Sequence, residues 1–192
     1  MKRKDKKKKI CNSQKEHEEE KIKKEKYKNF ILNMNKFVVT TRFTNYTWNE
    51  NLIFRNKNTQ FGCIYGSPDI LSKQIKNDSI VFVLEMNNDK NRIMGIGMVR
   101  NHPIVGKYNI YSKGNYNRYI YSGKNRIDRE EMTEIEENIM KAFDILCFKG
   151  YNHMKRGNGI KSFPKDILFK CMKVIDLVEF ISEMFKKRIQ KK

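Results

Sequence analysis

The segment Ile80 to Met86 is an unbroken apolar and β-branched run, interrupted only by Glu85, and Ile93 to Val99 answers it across the turn Asn87 to Asn91. Two such runs joined by Asn/Asp-rich residues predict a β-hairpin. Gly95 and Gly97 lie two apart on the returning strand and so share one face, which is left without side chains. Another backbone or a ligand is expected to approach there. Glu85 is a carboxylate that could hydrogen-bond a base edge or lie on a solvated face.

The flanking sequence fills in around this hairpin. Phe37, Val38 and Val39 predict a first strand ending at Thr40 and Thr41, followed by Trp48, Leu52, Ile53 and Phe54. Ser67-Pro68-Asp69 carries a capping residue, a proline preset for the first helical position and an acid, and predicts a short helix to about Lys76. Residues 107–121 are read as two further strands about the turn Ser112-Lys113-Gly114-Asn115. Asp128 and Glu131 have capping-box spacing, and Met132, Ile135, Ile139, Phe143 and Leu146 recur at helical intervals. Ser162-Phe163-Pro164 opens a further helix with an apolar stripe from Leu168 to Phe185.

These elements predict an α+β class: one domain over residues 29–185, with a helical extension at 128–185. The Lys/Glu-rich residues 1–28 are read as a disordered basic tail and residues 186–192 as a second tail, because neither has the apolar content to offset ordering. Residues 16–28 could form a transient helix.

The chain has 192 residues and a formal net charge of +19. Residues 1–28 contribute 13 basic and 6 acidic side chains, residues 186–192 contribute 5 and none, and the rest 23 and 16. The predicted domain is therefore basic without its tails, which points to a polyanionic partner. The four cysteines are scattered, without metal-ligand or disulfide spacing. No cofactor or metal is expected, and no Ser/His/Asp or paired-carboxylate pattern suggests an enzyme. With no long apolar segment, the expectation is an intracellular protein, cytoplasmic or nuclear, away from membranes; Lys2-Arg3-Lys4 with Lys6 to Lys9 would suit nuclear targeting or a non-specific polyanion arm.

Ser67-Pro-Asp-Ile-Leu, Asn77-Asp-Ser-Ile-Val-Phe-Val-Leu and Ile93-Met-Gly-Ile-Gly-Met-Val together resemble the core of the PUA-like superfamily, the small β-barrels that include the EVE, ASCH and YTH domains. The resemblance covers about residues 37–121. It implies a small barrel that binds RNA or DNA, in several members by enclosing a modified base in an aromatic pocket. The helical C-terminal part departs from the minimal domain.

Candidate binding residues follow from the need for flat faces and cations. Trp48 is the single tryptophan and sits among polar neighbours, as a base platform or a rim residue would. Tyr116, Arg118, Tyr119 and Tyr121 could stack on bases, although strand alternation would send about half of such residues into a core. His153, Lys155, Arg156 and Lys161 flank Gly157 and Gly159 in a loop suited to phosphate. The expected function is binding of RNA or single-stranded DNA. The alternative is an architectural or assembly protein whose tails touch nucleic acid and whose C-terminal helix docks on a protein partner.

Overall fold

A computed structural model describes residues 2–151 and 153–191, with side chains from residue 16 onward. The hairpin is its centre: β3 (Ile80–Asn87) and β4 (Arg92–Arg100) pair antiparallel, with Val81 opposite Val99 and Val83 opposite Gly97. β1 (Lys36–Thr40) runs parallel to β3, β7 (Asn125–Asp128) antiparallel to β4, and the two-residue β8 (Lys161–Ser162) closes the far edge. The sheet order is β7-β4-β3-β1-β8. A second, antiparallel sheet has the order β2-β6-β5, from β2 (Cys63–Ser67), β5 (Ile104–Val105) and β6 (Tyr119–Gly123). The class is α+β, with five α-helices among the described residues and two separate sheets rather than a closed barrel.

Strand alternation divides the core in two. Phe82 and Leu84 of β3, with Val38 of β1, face α3 (Glu134–Phe148), α4 (Lys165–Cys171) and α5 (Leu177–Ile189). Val81 and Val83, with Phe37 and Val39, face the second sheet through Ile64, Tyr65, Ile120 and Tyr121. A strand covered on both faces has no use for polar alternation, which is why β3 is apolar from Ile80 to Leu84. Phe82 lies stacked on Phe185 of α5, ring centroids 5.5 Å apart and 11° from parallel.

Several local expectations give way to tertiary demands. Trp48, Leu52 and Phe54 lie on a helix, α2 (Asn45–Lys57), opened by a capping box in which the Thr44 hydroxyl accepts from the Thr47 N–H and the Thr47 hydroxyl accepts from the Thr44 N–H. The Ser67-Pro68 helix is absent: the Leu71 N–H donates to the Tyr121 hydroxyl at 2.9 Å, and Leu71 and Ile75 are buried by turns instead. The two strands expected in 107–121 reduce to β6, preceded by a 3-10 turn at Gly114–Asn117. There the Asn117 side chain takes the place of a partner strand, accepting from the Ile110 and Tyr111 N–H groups and donating to the Tyr111 carbonyl.

Asp128 caps only a 3-10 turn, while Thr133 and Glu136 form the capping box of α3. The C-terminal helix is broken in two, because Asp176 accepts from the Val178 and Glu179 N–H groups and starts α5 anew. Ile181, Met184 and Phe185 of α5 are buried in the helix-side core, so the apolar stripe expected to await a protein partner is already covered.

The two tails also differ from expectation. The first is one helix, α1 (Lys2–Asn33), whose Tyr27 and Phe30 pack on Phe169 at 5.2 and 5.5 Å. In residues 186–192, α5 continues to Ile189 and both Nη atoms of Arg188 donate to Glu136 at 2.8 Å.

The hydrogen bonds from Arg188 hold the Glu136 carboxyl below its ordinary value, and those from Arg129 do the same for Glu137. A carboxyl depressed on folding contributes stability above its unfolded value and loses it as pH falls through the folded value. Urea midpoints recorded from pH 7 downward should therefore fall in the acid range. Arg188→Gln should flatten that fall; an unchanged slope would show that the Arg188 pair carries none of it.

Candidate functional site

The glycines of β4 make room for protein side chains. A Cβ on Gly97 would sit 2.0 Å from the Tyr65 hydroxyl, and one on Gly95 would sit 2.7 Å from the Ile127 carbonyl oxygen and 2.8 Å from both Glu85 and Arg126. Glu85 is wholly buried at a β-bulge and is neither solvated nor offered to a base. It accepts from the Tyr65 hydroxyl at 2.7 Å and from Arg126 through Nε at 3.0 Å and Nη2 at 2.8 Å. Burial pushes the Tyr65 hydroxyl well above its ordinary value, and burial beside Glu85 pushes the Cys63 thiol up to about 12. For Arg126, burial pulls the other way, but Glu85 overrides it and the guanidinium is held in its charged form.

This network fixes the second sheet against the first, and beside it opens a cavity of about 360 Å³. Five segments wall it: Thr41 to Thr44 after β1, one side of α2, Gly66 of β2, the stretch from Tyr111 to Tyr116, and Gly159 with Ile160. Phe43, Tyr111 and Tyr116 contribute aromatic rings to this wall, Phe43 and Tyr111 buried and Tyr116 half-buried; the first two centroids are 6.5 Å apart with the rings tilted by 50°, and the second pair meets edge to face at 6.2 Å. Tyr46 stands at the rim, 65% exposed, its hydroxyl 3.3 Å from that of Ser112. Tyr111 is held from behind by Asn51, which donates to the Tyr111 hydroxyl at 3.1 Å and to the Ile64 carbonyl at 2.7 Å.

Two glycines let the walls meet. A Cβ on Gly66 would lie 2.1 Å from the Tyr116 carbonyl oxygen, and Gly159 has φ +65° with Ser67 against it. Gly66→Ala should therefore displace the turn that carries Tyr116 and cost about 1–3 kcal/mol of stability, read as a lowered urea midpoint. An unchanged midpoint would mean that this turn yields freely.

The cavity has opposite charges in its wall. Glu50 accepts from the Ser112 N–H through Oε1 at 2.8 Å, while its Oε2 is buried without a hydrogen-bond partner. Arg42 donates through Nε to the Arg156 carbonyl at 2.7 Å and through Nη1 to Thr40, at 3.3 Å to Oγ1 and 3.4 Å to the carbonyl. All these acceptors are neutral, and among the described residues no carboxylate lies within ion-pair distance of Arg42. Burial pulls its guanidinium down from the ordinary value. A half-buried cation without a counter-ion gains from an anionic partner.

Of the residues singled out in the sequence, Tyr116 lines this cavity and Tyr121, Trp48 and Tyr119 do not. Tyr121 is fully buried, its hydroxyl engaged by Leu71. Trp48 meets Phe43 edge to face at 5.3 Å, with the guanidinium groups of Arg55 and Arg126 each 5.7 Å from its ring centre, so it backs the cavity wall rather than offering a base platform. Arg118 lies over Tyr119, 5.2 Å from its ring, outside the cavity.

The loop with His153 and Arg156 reaches the cavity through Gly159 and Ile160. It is tied down: Asn88 donates to the Lys155 carbonyl, Lys155 to Asn91, and the Met154 N–H to the Cys147 carbonyl. His153 Nδ1 accepts from the Lys155 N–H at 3.4 Å, and Lys161 pairs with Asp69 at 3.3 Å. Arg156 remains exposed.

Sequence reasoning missed Arg42, Phe43, Tyr46, Glu50 and Lys113. The signal available was Thr44-x-x-Thr47, a helix start that would have set Tyr46 and Glu50 one turn apart on one face. Among the described residues no group of three His, Cys, Asp or Glu side chains could hold a metal, and no helix is long and apolar enough to cross a membrane. Comparison with protein-family models, curated proteins and solved structures gave no match.

Proposed function

We propose that the protein binds nucleic acid, either RNA or single-stranded DNA, through a PUA-like core and seats one base, including a modified one, against Phe43, Tyr111 and Tyr116. The observation that carries this reading is an aromatic cavity on a chain of net charge +19, with Arg42 unneutralised in its wall. Aromatic faces take any base, at about 1–3 kcal/mol per stacked base. Arg42 and the exposed Lys113 supply the cations that a flanking phosphate needs. Residues 37–121, the extent of the PUA-like resemblance, hold every lining residue except Gly159 and Ile160.

Titration with a single-stranded RNA and its DNA counterpart at rising salt should show log affinity falling linearly with log salt concentration. Tyr116→Ala should weaken binding about 5- to 150-fold, the equivalent of one stacked base. If Tyr116→Ala binds like the native chain while removal of residues 1–28 abolishes binding, the tail-mediated architectural reading replaces this one.

A further inference from the structure

We infer that the open edge of the second sheet, at Lys107 and Arg118, carries the phosphate backbone of the single strand whose base enters the cavity. This inference rests on the nucleic-acid reading above and names the surface along which the strand leaves the cavity.

Charge is segregated along the chain. Residues 90–127 hold eight lysines and arginines and no aspartate or glutamate. Helix α3, further on, has four carboxylates to one lysine. Of the eight cations, Arg126 alone belongs to an ion pair among the described residues. Carboxylates of other elements reach this segment at Arg126, Ser112, His102 and Ile93, and none does so at Lys107, Lys113 or Arg118. A polyanion is therefore drawn to the second sheet and repelled from α3.

The fold gathers three of these cations beside the cavity. Val105 of β5 lies opposite Tyr119 of β6, and the Gly106 N–H donates to the Arg118 carbonyl at 3.0 Å, which brings the Lys107 and Arg118 backbones together. Strand β5 ends the order β2-β6-β5, so its outer edge is unpaired. Lys107 and Arg118 are exposed, and each lies over the tyrosine that follows it, 5.5 Å from the Tyr108 ring centre and 5.2 Å from that of Tyr119. Tyr108 is itself anchored edge to face on Phe54 and Phe61, at 6.0 and 5.4 Å. A cation held over a fixed ring has less side-chain freedom to lose when a phosphate binds. The other neighbour of Tyr119 is Ser67 of β2, whose hydroxyl accepts from the Ile160 N–H in the cavity wall at 3.3 Å. Lys113, also exposed, belongs to that wall, so the edge continues from the cavity rim. An acidic peptide would meet the same cations, whereas a nucleic acid brings an aromatic base for the cavity and phosphates for the edge on one chain.

The experiment uses the full chain and a fluorescein-labelled oligouridylate RNA of about eight nucleotides, read by anisotropy across a salt series. Lys107→Gln combined with Arg118→Gln should lower the slope of log affinity against log salt by about 1 and weaken binding about tenfold near 0.1 M salt. Both side chains are exposed, so this variant should keep the native urea midpoint. Lys141→Gln combined with Lys149→Gln removes the same charge from exposed positions on and just after α3, and should leave slope and affinity at the native values.

A Lys107 and Arg118 variant that keeps the native slope and affinity, or a Lys141 and Lys149 variant that loses as much, overturns the edge assignment whatever Tyr116→Ala does. If the edge variant loses slope while Tyr116→Ala binds like the native chain, the seated base falls and the edge stands as a backbone-binding surface. Displacement of the RNA by polyglutamate at lower concentration than by unlabelled oligouridylate overturns the assignment in favour of an acidic protein partner. A native chain that binds no oligouridylate removes the nucleic-acid reading and this inference with it.

Discussion

Arg126→Ala should lower the free energy of unfolding by about 3–5 kcal/mol, the usual cost of leaving one member of a buried ion pair without its partner. Glu85 is fully buried and takes hydrogen bonds on both oxygens from Arg126; without them, only the Tyr65 hydroxyl would remain. Asp128, held by Arg126 Nη1 at 2.6 Å, would lose its partner as well. Among apolar strands the carboxylate must then take up a proton, draw in water or recruit Arg55, whose guanidinium lies over the same Trp48 ring as that of Arg126. For a chain of this size the loss corresponds to a melting temperature lower by roughly 6–20 °C. Paired urea and thermal unfolding would measure it, and a loss below about 1 kcal/mol would show that water already reaches Glu85. Replacing both members together, Glu85→Leu with Arg126→Met, should recover much of the loss, because the desolvation cost of both charges is then removed.

Phe82→Ala should cost a comparable 3–5 kcal/mol by a different route. The ring is 1% exposed and stacks on Phe185, so its removal leaves a void that the sheet on one side and α5 on the other are too rigid to fill. Phe82 faces the helices, whereas the aromatic cavity lies with the second sheet. Binding per folded molecule should therefore stay at the native value while the urea midpoint falls. That combination separates loss of fold from loss of site, which Tyr116→Ala alone does not. A Phe82→Ala protein that unfolds like the native chain would mean that α5 collapses inward to close the gap.

The central hairpin was legible in the sequence because its physics is local: an apolar run, an Asn/Asp turn and an apolar return. Gly95 and Gly97 pointed to a close approach, and the groups that approach are Tyr65, the Ile127 backbone and the Glu85–Arg126 pair. What failed to show were decisions made at long range. Pro68 and Asp69 have every local attribute of a helix start, yet the Leu71 N–H is taken by a hydroxyl fifty residues away in sequence. Asp128 and Thr133 both offer cap spacing, and the choice between them turns on β7 ending at Asp128. The aromatic cavity was half visible: Tyr116 stood out for its neighbours, but Phe43, Glu50 and Gly159 are far apart in the chain and share nothing until β1, α2 and the 153–160 loop come together. Trp48 drew attention as the lone tryptophan, and its ring packs edge to face on Phe43 with two arginines 5.7 Å from its centre.

Strand β8, only Lys161 and Ser162, is the shortest way in which the last third of the chain could join the first sheet, and it carries Gly159 and Ile160 into place just before it. Synthesis proceeds from the N-terminus, so both sheets can form while the nascent chain still lacks that wall. The cavity would then gain its last wall only at the end of translation, and an unfinished or prematurely terminated product would lack it.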